Sequence, residues 1–150
     1  MLPTYFYWAL LLAICGYAFW RGRRDERVAA LTCLAASIFS LLALSPIQWR
    51  YSNVELGLLI VDGATLAVFT SIALQSSRFW PLWVAGLQLT TSMAHLLKAI
   101  DLDLLPHAYG AAARFWAYPI LVIIAVATWR AHRRALRDQA AAGREQHSPT

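Results

Sequence analysis

Polar side chains recur at helical spacing within one otherwise apolar stretch of this sequence, at relative positions i, i+3, i+4, i+7 and i+10. They are Gln88, Thr91, Ser92, His95 and Lys98. The preceding apolar stretch carries Glu55 and Asp62, which are seven residues apart and therefore share one helical face. A carboxylate beside an imidazole can exchange a proton near neutral pH, or it can form a hydrogen bond between two helices. The pattern therefore predicts either a proton or ion relay or a structural polar contact.

The two stretches are joined by a short connection, which predicts an antiparallel helical hairpin. At about 1.5 Å per residue, Asp62 lies roughly 12 Å and His95 roughly 8 Å from the same end of this hairpin. We therefore expect Asp62 to contact His95, with help from the hydroxyl of Thr91 or Ser92. Glu55 and Lys98 are expected to lie close together at the outer end of the hairpin.

The segment DLDLLPHAYG follows the polar stretch and is predicted to form a loop on the outer side. Its chemically capable residues are Asp101, Asp103, His107 and Tyr109. Carboxylates and imidazoles bind divalent cations, but this spacing matches no familiar metal pattern. Haem ligation by two imidazoles would need a partner that faces His95. The sequence therefore predicts no cofactor, neither a metal nor haem, although lipid contacts are expected.

The elements that carry these residues are predicted to be membrane helices. Hydrophobic residues make up 59% of the 150 residues, charged residues 14%, and the mean hydropathy is +0.50, which excludes an ordinary soluble fold. Five apolar stretches approach the roughly 20 residues that cross a bilayer. They cover residues 3–20, 28–44, 54–75, 79–100 and 111–129. The predicted fold is an all-α integral membrane protein, with a five-span domain over residues 1–130 and a basic, partly disordered tail over residues 131–150.

The basic residues predict how these helices are threaded. Ten of the 13 fall on one side of a five-span path. They are Arg21, Arg23, Arg24, Arg27, Arg78, Arg130, Arg133, Arg134, Arg137 and Arg144. The other three are Arg50, Lys98 and Arg114. Because basic residues accumulate on the cytoplasmic side, the N-terminus is predicted to lie outside and the C-terminus in the cytoplasm.

One third of the chain also has a family resemblance. The stretch RFWPLWVAGLQLTTSMAHLLKAIDLDLLPHAYGAAARFWAYPILV, residues 78–122, resembles small multi-span inner-membrane proteins of alphaproteobacteria. That group has no assigned activity, so the resemblance implies a bacterial inner membrane and carries over no catalytic residue.

Three functions are compatible with these features. The leading hypothesis is a non-enzymatic subunit or accessory factor of a membrane complex, whose partners are lipids, other membrane proteins or further copies of itself, and not nucleic acid. The alternative is a small transporter or channel in which Asp62, His95 and Lys98 line the path. A weaker alternative is a membrane enzyme or cofactor-binding protein that uses His95 and His107. The chain contains no G-x-S-x-G, H-E-x-x-H, Walker or C-x-x-C motif, so the sequence indicates no enzyme class.

Overall fold

The structure, a computed structural model, describes residues 4–43, 53–100 and 106–146, and these form five α-helices with short connections at 22–23 and 76–79. They are α1 (Thr4–Arg21), α2 (Arg24–Ala43), α3 (Asn53–Gln75), α4 (Trp80–Ile100) and α5 (Pro106–Gln146). The predicted all-α class is confirmed for this part of the chain. Each helix packs against the next, and α5 returns to contact α1 and α2, which closes the bundle.

Helix α2 begins earlier than predicted, at Arg24 rather than near residue 28. The reason lies in the acidic residues of the RGRRDER run. Asp25 and Glu26 occupy the first helical turn, where negative charge is favoured by the helix dipole. Glu26 also accepts a hydrogen bond from the backbone N–H of Arg23 at 3.0 Å, as in a capping box. Only Gly22 and Arg23 therefore connect α1 to α2.

Helix α5 is much longer than the predicted fifth span. It has 41 residues and a length of about 60 Å, twice the thickness of a hydrocarbon core. Pro106 begins the helix, a position that proline favours because its missing N–H is not needed there. His107 and Tyr109 consequently lie in the first turns of α5, and the prediction of a loop at these two residues is wrong. At the other end, residues 131–146 of the predicted tail are helical.

The core lies where α1, α2 and α5 meet the second half of α3 and the first half of α4. Its largest fully buried apolar side chains include Leu11, Phe69, Leu121 and Ile124. Small residues let the backbones of α1 and α2 approach closely. The Cys15 thiol accordingly reaches the backbone carbonyl of Ala30 at 3.3 Å.

Two helical stretches in the described part of the chain are long and apolar enough to cross a membrane. They are Gly57–Gln75 in α3 and Phe115–Arg144 in α5, with mean hydropathies of 1.9 and 1.3. The remaining helices carry more polar residues: tyrosines and tryptophans in α1, four charges at the start of α2, and the polar stripe in α4. Five spans and their orientation stay a prediction.

Gly22 is the position where the connection between α1 and α2 depends on residue size. A Cβ atom there would lie 2.4 Å from the carbonyl oxygen of Ala18, which accepts the Gly22 N–H. We expect Gly22→Ala to lower the free energy of unfolding by about 1 to 3 kcal/mol, because backbone must shift to remove the overlap. Equilibrium unfolding of purified chain, from mixed micelles into sodium dodecyl sulfate, measures this.

Gly16→Ala is the matched control, since nothing lies within 4 Å of a Cβ at Gly16, in the helix α1 that precedes Gly22. Alanine is the better helix former, so this variant should be neutral or stabilised by up to about 1 kcal/mol. Equal effects of the two substitutions would contradict the assignment of Gly22 as a packing constraint.

Candidate functional site

The first polar site of the bundle, here called the Asp62 cluster, consists of Asp62, Gln88 and His95. Asp62 lies on α3, and Gln88 and His95 lie about two and four turns along α4 from its start. His95 Nε2 is 2.9 Å from Asp62 Oδ2, and Gln88 Nε2 donates to Asp62 Oδ1 at 3.1 Å. Both oxygens of the carboxylate thus contact α4. The predicted contact between Asp62 and His95 is present in the structure.

The hydroxyls that were expected to assist this contact do something else. The Thr91 hydroxyl donates to the backbone carbonyl of Leu87 at 3.2 Å, within its own helix turn. The Ser92 hydroxyl oxygen is buried and has no hydrogen-bond partner among the described residues. Gln88 provides the second donor instead, because its longer side chain reaches across to α3.

The helical stripe itself is oriented as its spacing predicts. Gln88 and Thr91 are buried and Ser92 and His95 are half-buried, whereas the intervening Leu89 and Met93 of α4 are exposed. The cluster can form a hydrogen bond when His95 is neutral and an ion pair when it is protonated. The cluster therefore links α3 to α4 and places a carboxylate beside an imidazole inside the bundle.

Other residues of the predicted site fall outside the described part of the structure. Asp101 and Asp103 belong to residues 101–105, which it does not describe. The backbones of Glu55, Lys98, His107 and Tyr109 are helical, but their side chains are not described. The predicted contact between Glu55 and Lys98 therefore stays a prediction.

A second polar site, here called the Glu26 cluster, was not predicted. It comprises Glu26, Arg78, Asp25, Ser76 and the backbone of Arg23. Arg78 Nη1 pairs with Glu26 Oε1 at 2.5 Å, while the N–H of Arg23 occupies Oε2 at 3.0 Å. Ser76 donates its hydroxyl to Asp25 Oδ2 at 2.9 Å. The cluster thereby ties the start of α2 to the turn between α3 and α4.

The burial of Glu26 makes this cluster energetically important. Its side chain is 0% exposed, whereas that of Arg78 is 20% exposed. A buried carboxylate without a partner loses its hydration without compensation, so the arginine is essential to its stability in that position. The sequence signal was available, because the positive-inside count places Arg78 on the same side as the RGRRDER run. That count treats arginines as topology markers and ignores the acids with which they pair.

Helix α1 makes further contacts with α2 and α5, of which those of Tyr7 lie inside the bundle and that of Arg21 lies at the surface. The Tyr7 hydroxyl is 2.7 Å from the Ser37 hydroxyl on α2, and its ring packs edge-on against Tyr118 of α5, with centroids 5.8 Å apart. Arg21 Nη1 lies 3.2 Å from His132 Nε2 on α5. Within the described residues, no three His, Cys, Asp or Glu side chains are close enough together to hold a metal ion.

A double-mutant cycle tests the Asp62 cluster. Asp62→Ala and His95→Ala should show a coupling of about 1 kcal/mol in the free energy of unfolding, the size typical of polar pairs between membrane helices. Unfolding of the wild type, both single variants and the double variant in mixed micelles supplies the four values.

Thr90 supplies the control for this cycle, because its exposed hydroxyl bonds only the carbonyl of Gly86 in its own helix. Asp62→Ala and Thr90→Ala should therefore be additive within about 0.5 kcal/mol. Additivity of Asp62→Ala and His95→Ala as well would refute an energetic role for the contact.

Arg78→Met tests the Glu26 cluster. It leaves the Glu26 carboxylate buried without its partner, so we expect the free energy of unfolding to fall by about 3 to 5 kcal/mol. The double variant Glu26→Gln and Arg78→Met should recover part of this loss because the buried charge is gone. As a control, Arg27→Met removes an exposed arginine next to Glu26 in α2. It should change the free energy of unfolding by no more than about 0.5 kcal/mol. If Arg78→Met behaved like Arg27→Met, the pair would have no structural importance.

Comparisons with protein-family models, curated proteins and solved structures find no match to this chain. The resemblance of residues 78–122 to alphaproteobacterial membrane proteins stays a prediction. Functional interpretation therefore depends on the geometry of the two clusters and on the surface of the bundle.

Proposed function

We propose that this chain is a multi-span protein of the bacterial inner membrane that acts, without catalysis, as a subunit or accessory factor of a membrane complex. Five helices span the bilayer, with the N-terminus outside and the C-terminus in the cytoplasm. The observation that carries the proposal is the distribution of polarity: the bundle exposes apolar side chains and directs its polar pairs inward.

Helix α3 supports the membrane placement most directly. Its apolar stretch Gly57–Gln75 has only 11% of its residues buried within the bundle, whereas the core helix of a soluble protein would be mostly buried. Leu74 and Ile60 are 81% and 63% exposed. Exposure of such a surface to water is unfavourable, and soluble proteins rarely expose large contiguous apolar patches. Hydrocarbon chains or apolar helices of a partner are suitable surroundings for it.

Aromatic and basic residues support the same placement. The highly exposed aromatic side chains include Tyr5 and Trp20 at the two ends of α1, and Trp83 near the start of α4. Aromatic rings at helix ends suit the headgroup region, where one edge remains hydrated. Arg21 lies over the Trp20 ring at 4.4 Å from its centroid, and Arg133 lies over Trp129 at 5.1 Å. In each pair, an arginine assigned to the cytoplasmic side contacts an aromatic ring assigned to the headgroup region.

The two clusters support a structural role rather than catalysis. Both oxygens of Glu26 and both oxygens of Asp62 contact donors of the protein itself. Acids that are satisfied in this way stabilise helix contacts and are poorly placed to attack or protonate a substrate. Recognition is then left to the outer apolar faces and to the part of α5 beyond the bundle, whose residues from Leu136 to Arg144 are exposed.

Transport is the second candidate, and the titratable pair of Asp62 and His95 is the observation that favours it. The next inward-facing residues along α3 are Thr65, Phe69 and Ala73, all of them buried. They fill the approximately 20 Å that separate the Asp62 cluster from Ser76. Phe69 is 1% exposed, which leaves this segment of the bundle tightly packed. A path for ions would have to run between copies of the chain or require the helices to separate.

Native purification in mild detergent tests the proposal. Chain with an affinity tag should elute with a larger membrane protein at a fixed ratio, measured by native mass spectrometry. Asp62→Asn should leave this complex intact, since asparagine still offers an acceptor to Gln88. A chain that elutes alone would contradict the subunit function.

Flux through vesicles distinguishes transport. Purified chain reconstituted in vesicles should give the same proton and ion flux as the Asp62→Asn variant, neither exceeding that of empty vesicles. A flux that the wild type carries and Asp62→Asn abolishes would overturn the proposal and establish transport.

A further inference from the structure

A groove of about 460 Å³ opens between α2 and α3 at the end of the bundle where α2 begins and α3 ends. Its walls are apolar and polar in nearly equal parts: Val28, Val68 and Ile72 form an apolar strip, and Ser71 and Gln75 add polar groups on the α3 side. From Ala67 to Gln75 the groove follows α3 for about 12 Å. The apolar strip is long enough to contact the upper part of one acyl chain.

The rim of the groove carries one charge of each sign. Arg24 is exposed and Asp25 is half-buried, and both line the groove. Asp25 Oδ2 accepts the hydrogen bond of Ser76, and no described residue donates to Oδ1, which keeps its capacity to accept. The rim therefore complements a group that contains an anion and a cation close together.

We propose that this groove binds a phospholipid with a primary ammonium headgroup, phosphatidylethanolamine, from the cytoplasmic leaflet. The phosphate lies against Arg24, the ammonium donates to Asp25, and the upper part of an acyl chain lies between Val28 and Val68. This inference rests on the membrane placement proposed above, and it is independent of whether the chain is a subunit or a transporter.

The choice of headgroup follows from hydrogen-bonding capacity. A primary ammonium has N–H groups to donate to a carboxylate, which makes a charge-assisted hydrogen bond, whereas the quaternary ammonium of phosphatidylcholine has none. Phosphatidylglycerol has a phosphate but no cation, so Asp25 would repel it. Arg23 and Arg27 at the same end attract anionic lipid in a diffuse manner, but they do not line the groove.

Native mass spectrometry of purified chain, released from nanodiscs of stated lipid composition, tests this site. From equal mixtures of phosphatidylethanolamine, phosphatidylcholine and phosphatidylglycerol, wild-type chain should retain one phosphatidylethanolamine preferentially. Arg24→Gln should weaken retention of that lipid about fivefold, the contribution of one arginine at a membrane surface. Asp25→Asn keeps an acceptor for Ser76 but should abolish the preference over phosphatidylcholine.

Matched controls separate the groove from the general basic surface. Arg27→Gln removes a nearby exposed arginine and should leave retention unchanged. Ala67→Trp should fill the groove and prevent retention, whereas Ala64→Trp, one turn away on α3 and also exposed, should not. Circular dichroism of both tryptophan variants checks that they remain helical, and Arg24→Gln provides the test that does not alter packing.

Three outcomes would overturn the site: a preference for phosphatidylglycerol, equal losses from Arg24→Gln and Arg27→Gln, or displacement of the lipid by soluble phosphoethanolamine. Failure of the chain to enter nanodiscs would instead refute the membrane placement, so the two failures are distinguishable.

Discussion

A carboxylate enclosed by apolar helices is stable only when donors of the protein replace the water it has lost, and this constraint governs the polar interior of the bundle. Glu26 meets it with the side chain of Arg78 and the backbone N–H of Arg23. Asp62 meets it with Gln88 and His95. Apolar contacts between helices are weakly directional, so these few polar contacts determine which helical faces meet.

The two clusters lie at different levels of the bundle and connect different elements. The Glu26 cluster connects the start of α2 to the turn between α3 and α4, and the Asp62 cluster connects α3 to α4 nearly 20 Å further along. Between them the bundle is packed with apolar side chains such as Phe69 and Val84. Exposed leucines, isoleucines and aromatic rings cover its outside. Polar interior contacts and an apolar exterior together suit a bundle surrounded by lipid or by other apolar helices.

The helices and the stripe on α4 were predictable because each depends on residues near one another in sequence. Helical periodicity places Gln88, Thr91 and His95 on one face whatever the rest of the chain does. Which member of that face meets Asp62 was less predictable. The Thr91 hydroxyl is short and bonds its own backbone, as threonine commonly does within helices, whereas Gln88 reaches the neighbouring helix.

By itself, the sequence determined the all-α class, the approximate extent of α3 and α4, and the facing of Asp62 towards His95, because spacing along a helix specifies its faces. Only the tertiary structure decided that Arg78 pairs with Glu26, 52 residues away, and that Asp25 and Arg24 lie beside the end of α3. Such pairings depend on how far one helix is displaced along another. That displacement is set by packing of the whole bundle and leaves no periodic signal in the sequence.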